Sequence, residues 1–272
     1  MPRSRSIFPC LRVVLMMTVA GRCSAAGLAE QWKQAGQYGF GAAHEVFART
    51  EGREARLGEA VTLLNLQPRT TRNIERAATL LDAVAHAAPG DELGICARYL
   101  RARVEEVHRA AAQPAEAARR YLELIRTSGT HPLAQQAVVR LSLLRLYTLT
   151  EGQSPADLLA AAETLGADLT DPAAVRDHAL ILGQACLYFD LPLPRAQSHL
   201  ERALAAGIQN PSNRADVLVT LGEIARELGD SSGAERAYRG YLKENPRGDR
   251  ASAVQRRLAE MTGLPGAGET RP

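Results

Sequence analysis

The sequence predicts an all-α fold, an α-solenoid built from stacked antiparallel helix hairpins. Alanine makes up about 17% of the 272 residues and aromatic residues only 4%, a composition that favours helices and excludes an all-β fold. Apolar residues recur at the three- and four-residue spacing of an amphipathic helix. A leucine or valine also recurs about every 39 residues, which indicates an internal repeat. These repeat positions are Leu64, Val104, Leu143, Leu182 and Leu221.

Residues 1–26 have the composition of a secretory signal peptide. Arginines precede the apolar stretch VVLMMTVAG (13–21), and Ser24–Ala26 supplies the small residues of a cleavage site. We therefore expect cleavage near Ala26 and a periplasmic or secreted protein. Two alternatives are a lipid anchor at Cys23 and a cytoplasmic chain with an uncleaved leader. The apolar stretch is too short to cross a membrane and no later one is long enough, so we expect no transmembrane span.

The positive charge of the chain is concentrated in this leader. The formal net charge is +3, but four of the 33 basic residues lie in residues 1–26, which leaves 29 against 30 acidic residues. A neutral body with few aromatic residues lacks the basic surface and the stacking platforms that nucleic acids require. We expect no nucleic-acid partner.

Residues 215–246 contain the clearest helix hairpin. The pattern is Leu-x2-Leu-Gly-x2-Ala, then Gly229-Asp230, then Ala-x3-Tyr-x2-Tyr-x4-Pro. It closely resembles the signature of a tetratricopeptide repeat. The resemblance implies that the hairpins stack in a right-handed superhelix, and that Gly222 is small because the two helices approach closely there.

Applying this repeat to the whole chain gives a helical repeat domain over residues 27–261. The predicted hairpins span about 28–50, 55–88, 93–127, 131–166, 172–207 and 211–244. Predicted N-caps of their helices include Asp91, Ser154, Asp171 and Ser231. A capping helix is expected at 248–261, and the Gly/Pro-rich residues 262–272 are expected to be a disordered tail.

No catalytic or metal-binding motif is complete. His44-Glu45 begins a metalloprotease-like sequence, but Ala48 stands where the second histidine ligand is required. Cys96 and Cys186 lie in helical patterns without ligand spacing, so we expect buried thiols. We therefore predict no enzymatic activity, no metal and no cofactor. An enzyme assembled from distant helices is the alternative, and it requires a carboxylate with a strongly raised pKa.

The resemblance to tetratricopeptide repeats implies that the first helix of each hairpin lines a concave wall that holds a peptide. Positions that face inward in the family indicate the following candidate partner-binding residues: Tyr99, Glu106, Arg109, Arg145, Gln184, Tyr188, Glu223 and Arg226. The Lys and Asn residues with which some family members clamp a C-terminal carboxylate are replaced by Val219, Thr220 and Glu223, which disfavours a chaperone-tail receptor.

Residues 121–144 and 237–258 also resemble a pairing seen in bacterial envelope proteins of this family. Together with the leader, this resemblance predicts a non-enzymatic scaffold of the cell envelope that binds a peptide or partner protein. The alternative is a structural or oligomerisation subunit that docks through a repeat edge or the C-terminal helix.

Overall fold

The computed structural model describes residues 28–262. The predicted signal peptide, the lipid-anchor alternative at Cys23 and the tail after residue 262 lie outside the described residues. Within residues 28–262 there are thirteen α-helices, one π-helical turn and no strand. Consecutive helices pack against each other as hairpins, which confirms the predicted all-α class of helix hairpins.

Short connections separate helices of two to five turns. In chain order the helices are α1 (Ala29–Gly36), α2 (Phe40–Phe47), α3 (Arg53–Asn65), α4 (Thr71–Ala87), α5 (Glu92–Arg103), α6 (Pro114–Ser128), α7 (Pro132–Tyr147), α8 (Pro155–Leu165), α9 (Pro172–Tyr188), α10 (Leu193–Ala205), α11 (Pro211–Glu227), α12 (Ser231–Glu244) and α13 (Ala251–Thr262). The π-helical turn, Val104–His108, directly follows α5.

Side-chain caps determine where many of these helices begin. Six cap residues accept a hydrogen bond from the backbone N–H three residues further on, which satisfies a donor that has no partner within the helix. These caps are Thr70, Asp91, Ser154, Asp171, Asn210 and Asp230. Three of the predicted caps are confirmed, whereas Ser231 was wrong by one position. Asp230 takes the role because its carboxylate accepts from the Gly233 N–H.

Small residues allow the two helices of a hairpin to approach closely. A Cβ added at Gly222 on α11 would lie 2.3 Å from a ring carbon of Tyr238 on α12, and one at Gly183 would lie 2.7 Å from Leu200. Both distances are far below van der Waals contact, so a large side chain of the second helix lies directly over each glycine. The predicted close approach at Gly222 is therefore correct.

The chain forms two compact units, one ending at Leu141 and one beginning at Ser142 within α7. The largest fully buried side chains of the first unit are Phe47, Leu57, Leu81, Tyr121, Leu124 and Leu141. Those of the second unit are Leu146, Leu159, Ile181, Leu182, Leu200 and Tyr238. In the second unit α13 packs on α12, with Ala251 and Val254 buried in the same core as Tyr238.

Candidate functional site

Three aromatic residues of the second unit form a cluster at the protein surface. Tyr147 is the last residue of α7, Tyr188 is the last residue of α9, and Phe189 follows it. The ring centroid of Tyr147 is 5.5 Å from that of Tyr188 and 5.8 Å from that of Phe189, and the last two are 4.9 Å apart. Tyr188 is 72% exposed and Tyr147 is 40% exposed. We call these three residues the aromatic cluster.

The turn after α9 determines where Tyr188 and Phe189 lie. Asp190 adopts the left-handed conformation (φ 55°), which aspartate tolerates better than most residues. The Leu191 N–H then donates back to the Cys186 carbonyl at 2.8 Å. This closing bond resembles that of a Schellman turn, and Pro192 cannot continue the helix. The chain therefore reverses directly after the aromatic pair and leaves Tyr188 at the surface.

The aromatic cluster contains a tyrosine that is uncharged at neutral pH, and an acidic residue directly follows the cluster in the chain. Partial burial, followed by the nearby Tyr188, raises the pKa of Tyr147 to about 12, so its phenol keeps its proton. Asp190 follows Phe189 directly, and Glu151 lies four residues after Tyr147; both are exposed. Among residues 28–262, neither carboxylate has a hydrogen bond or an ion pair.

Exposed apolar residues extend this surface along the second unit. Leu187 lies beside the aromatic cluster, and Leu228 follows α11 at the corresponding end of the next hairpin; both are exposed. Tyr147 and Tyr188 are the last residues of α7 and α9, whereas Leu228 directly follows the last residue of α11.

Two of the predicted partner-binding residues have side chains that are little exposed in the first unit. Tyr99 is only 3% exposed and packs on the ring of Tyr121, with centroids 5.9 Å apart. The Glu106 side chain is also buried; it pairs with Arg103 and Arg140 and accepts a hydrogen bond from the Tyr121 hydroxyl at 2.6 Å. Sequence mapping assumed an uninterrupted α-helix, whereas Glu106 lies in the π-helical turn, which changes the direction of its side chain.

Arg109 belongs to a second network of charges in the first unit. It pairs with Glu105, which is buried, and with Glu75, and Arg101 pairs with Glu105 from the preceding turn. Burial opposes the ionisation of Glu105, but hydrogen bonds from Arg109 and Arg101 outweigh it and lower the pKa of the carboxyl group. With each charge compensated inside the unit, this network stabilises the fold.

The remaining predicted residues lie in the second unit. Arg145 and Gln184 are half-buried, and Gln184 lies one helical turn before Tyr188 on the same face of α9. Glu223 pairs with Arg226 and with Arg257. The structure therefore joins Tyr188 to Tyr147 and Phe189, two residues that sequence reasoning missed. The available signal was that both tyrosines directly precede a turn.

The cysteines, the possible metal ligands and the length of the helices were the other features relevant to function. Cys96 and Cys186 are buried thiols, as predicted. No group of three or more His, Cys, Asp or Glu side chains between residues 28 and 262 is arranged to hold a metal ion. In the same part of the chain, none of the helices combines the length and apolar character needed to cross a membrane.

Consecutive helix hairpins with an exposed aromatic edge are the architecture of a helical-repeat protein. No protein-family model matches the chain, and no curated protein matches it. Among solved structures, the chain is similar to PilW, described as a widely conserved type IV pilus biogenesis factor. The identity is 14%, the TM-score is 0.46, and the match covers 79% of this chain and 87% of that chain.

Proposed function

We propose that this protein is a non-enzymatic scaffold of the tetratricopeptide type that binds a partner protein in the bacterial cell envelope. The observation that carries the proposal is the exposed aromatic cluster. Tyrosines supply large, rigid contact area and are enriched at the energetic centres of protein interfaces. A folded protein gains little stability from a tyrosine that is 72% exposed, as Tyr188 is. A contact with another protein explains why these rings lie together at the surface.

The proposed binding surface begins at the aromatic cluster and continues along the first helix of each hairpin. Gln184 lies one turn before Tyr188 on the same face of α9, and Glu223 and Arg226 occupy the corresponding part of α11. The surface therefore combines an apolar edge with a polar flank, as a protein interface does.

Docking through the C-terminal helix receives no support from the second unit. Ala251 and Val254 on α13 are buried against α12, and Leu258 and Met261 are half-buried against the same core. The exposed apolar side chains of this unit instead follow the carboxyl ends of the first helices. We therefore propose binding through that edge.

The envelope location rests on residues 1–26, with their arginines, apolar stretch and small-residue cleavage site. The intact mass of the protein expressed with its own leader tests it. A mass that begins at Gly27 in the periplasmic fraction is the expected result. A lipid-modified Cys23 would place the protein on a membrane surface, and a cytoplasmic species that retains Met1 would refute export.

Site-specific photo-crosslinking in the native cell tests the binding surface. A photoreactive amino acid replaces Tyr188 in one strain and Ser198, an exposed residue of α10, in the control strain. We expect one discrete crosslinked protein at position 188, lost when Tyr147→Ser is added, and none at position 198. Equal labelling at the two positions, or no crosslink at 188, would contradict the proposed surface.

A further inference from the structure

We propose that the aromatic cluster, together with Asp190, binds an arginine side chain within an apolar segment of the partner protein. This inference rests on the proposed function and states the chemistry of the partner. Its basis is the combination of exposed aromatic faces with an exposed carboxylate, directly after them in the chain, that has no cation of its own.

Asp190 differs from the paired acids of the second unit. Glu163 on α8, for example, pairs with Arg195 at 2.6 Å and with His199 at 2.8 Å. Asp190 is exposed and makes no such pair within the described part of the chain. It directly follows Phe189, so its backbone adjoins the aromatic cluster.

The helix ends add negative potential at the same place. Tyr147 and Tyr188 each occupy the carboxyl end of a helix, where backbone carbonyls carry a partial negative charge. The last turn of α9 contains no basic residue to offset this charge. The end of α9 therefore favours a cation and disfavours an acidic partner, whereas the last turn of α7 already contains Arg145.

The cations of the second unit near this surface do not neutralise it. Arg195 is committed to Glu163. Arg145 precedes Tyr147 by two residues, and two residues turn an α-helix by about 200°, so it leaves α7 on the opposite side. Neither arginine pairs with Asp190, so this carboxylate is available to a cation that a partner supplies.

Arginine fits this surface better than lysine. Its planar guanidinium stacks on an aromatic ring and can donate two parallel hydrogen bonds to one carboxylate, whereas an ammonium acts as a compact point charge. The exposed Leu187 beside the rings indicates apolar neighbours for that arginine in the bound segment. The partner segment is thus basic and apolar together.

Selection from a library of random seven-residue peptides displayed on phage tests the inference with the full-length protein as bait. Tyr188→Ser serves as the counter-selection bait; since Tyr188 is largely exposed, this variant is expected to fold, and its thermal unfolding checks that it does. We expect peptides that contain arginine flanked by apolar residues. Peptides without arginine, acidic peptides, or peptides that bind the Tyr188→Ser bait equally well would overturn the proposal, as would a selection without any enrichment.

The most enriched peptide is then synthesised with arginine, lysine or glutamate at the selected position. Asp190→Asn is expected to weaken the arginine peptide about tenfold, which corresponds to one charge-assisted hydrogen-bonded contact. Asp249→Asn, which removes another exposed aspartate of the second unit, is the matched control and is expected to leave the affinity unchanged. Equal affinity of the three peptides, or equal loss in the two variants, would refute the arginine site.

The crosslinking experiment separates this inference from the proposed function. If position 188 still crosslinks to a protein while Asp190→Asn has no effect on either readout, the scaffold stands and the arginine chemistry is wrong. If position 188 captures nothing, the binding surface itself is wrong.

Discussion

His178 is expected to make the second unit sensitive to mild acid. Its ring is 1% exposed, and its Nε2 lies 3.1 Å from the Ala162 carbonyl and 3.1 Å from the Ser142 hydroxyl. Because a carbonyl only accepts hydrogen bonds, Nε2 carries the proton of the neutral imidazole. The ring also lies over Gly166, where a Cβ would be 2.1 Å away. The ring is therefore closely packed on this side and shielded from solvent.

The magnitude follows from the pKa of His178. Burial, only partly opposed by the Ala162 carbonyl, lowers this pKa from 6.5 to about 4. As the pH falls below about 6.5, His178 binds a proton in the unfolded chain but not in the folded chain. The free energy of unfolding therefore decreases until the pH reaches about 4. Linkage gives a loss of roughly 1.4 kcal/mol at pH 5.5 and roughly 2.5 kcal/mol at pH 4.5, relative to pH 7.5.

Urea unfolding of the wild type and His178→Gln, followed by far-UV circular dichroism at these three pH values, measures the effect. The stability advantage of the wild type over His178→Gln is expected to shrink by about 2.5 kcal/mol between pH 7.5 and pH 4.5. Carboxylates that titrate in both proteins cancel in this difference. A difference that does not change with pH would refute the reasoning.

Two further observations keep the assay specific to His178. Glu163, His199 and Arg202 also act electrostatically on its ring, so His199→Gln is the matched control and is expected to retain the pH dependence. Trp32, the one tryptophan of the sequence, lies in the first unit and donates to Glu54 at 2.9 Å. Its fluorescence therefore follows the first unit, which lacks His178.

Two other substitutions test the packing and the buried charges. Gly222→Ala places a Cβ against the ring of Tyr238 and is expected to lower the free energy of unfolding in urea by about 1 to 3 kcal/mol. The control is Gly41→Ala, where an added Cβ has nothing within 4 Å, and it is expected to be neutral or stabilising. Similar costs at both sites would contradict the close approach of the two helices at Gly222. Glu106→Gln leaves two buried arginines without their carboxylate and is expected to cost about 3 kcal/mol. The control is Glu123→Gln, at an exposed ion pair, which is expected to cost less than about 1 kcal/mol. Tryptophan fluorescence during urea unfolding compares the stability of the two glutamate variants. An equally small loss in both would show that the buried ion pairs contribute no more to stability than the exposed one.

Sequence alone was sufficient for the fold class because the signals of a helix hairpin are local. A cap such as Asp171 lies within one turn of the N–H group from which it accepts a hydrogen bond. Gly222 lies in the same hairpin as Tyr238, whose ring covers it. Glu106 was predicted to face a partner because nothing local announces the π-helical turn that contains it. That turn is stabilised by arginines from other helices, such as Arg140, which lies 34 residues away.

The aromatic cluster was beyond sequence analysis for a related reason. Tyr147 and Tyr188 are 41 residues apart, about two residues more than the repeat of roughly 39, so the repeat did not align them. Their contact depends on how each turn ends its helix, and the turn after Tyr188 depends on the left-handed conformation of Asp190. Conformations of this kind are permitted by a residue type but are selected by the surrounding structure.

The contrast between the buried carboxylates and Asp190 is the strongest argument for where this protein binds. Glu105 and Glu106 lie in a crowded interior, and each is held by two arginines, because a buried charge without a partner would be costly. An exposed carboxylate is solvated by water, so Asp190 can lack a partner at little cost in free energy. What needs an explanation is its position beside tyrosines that gain little by being exposed together. Folding accounts for the buried network without any partner, whereas the aromatic cluster and Asp190 are best explained by a molecule that supplies both an apolar surface and a cation.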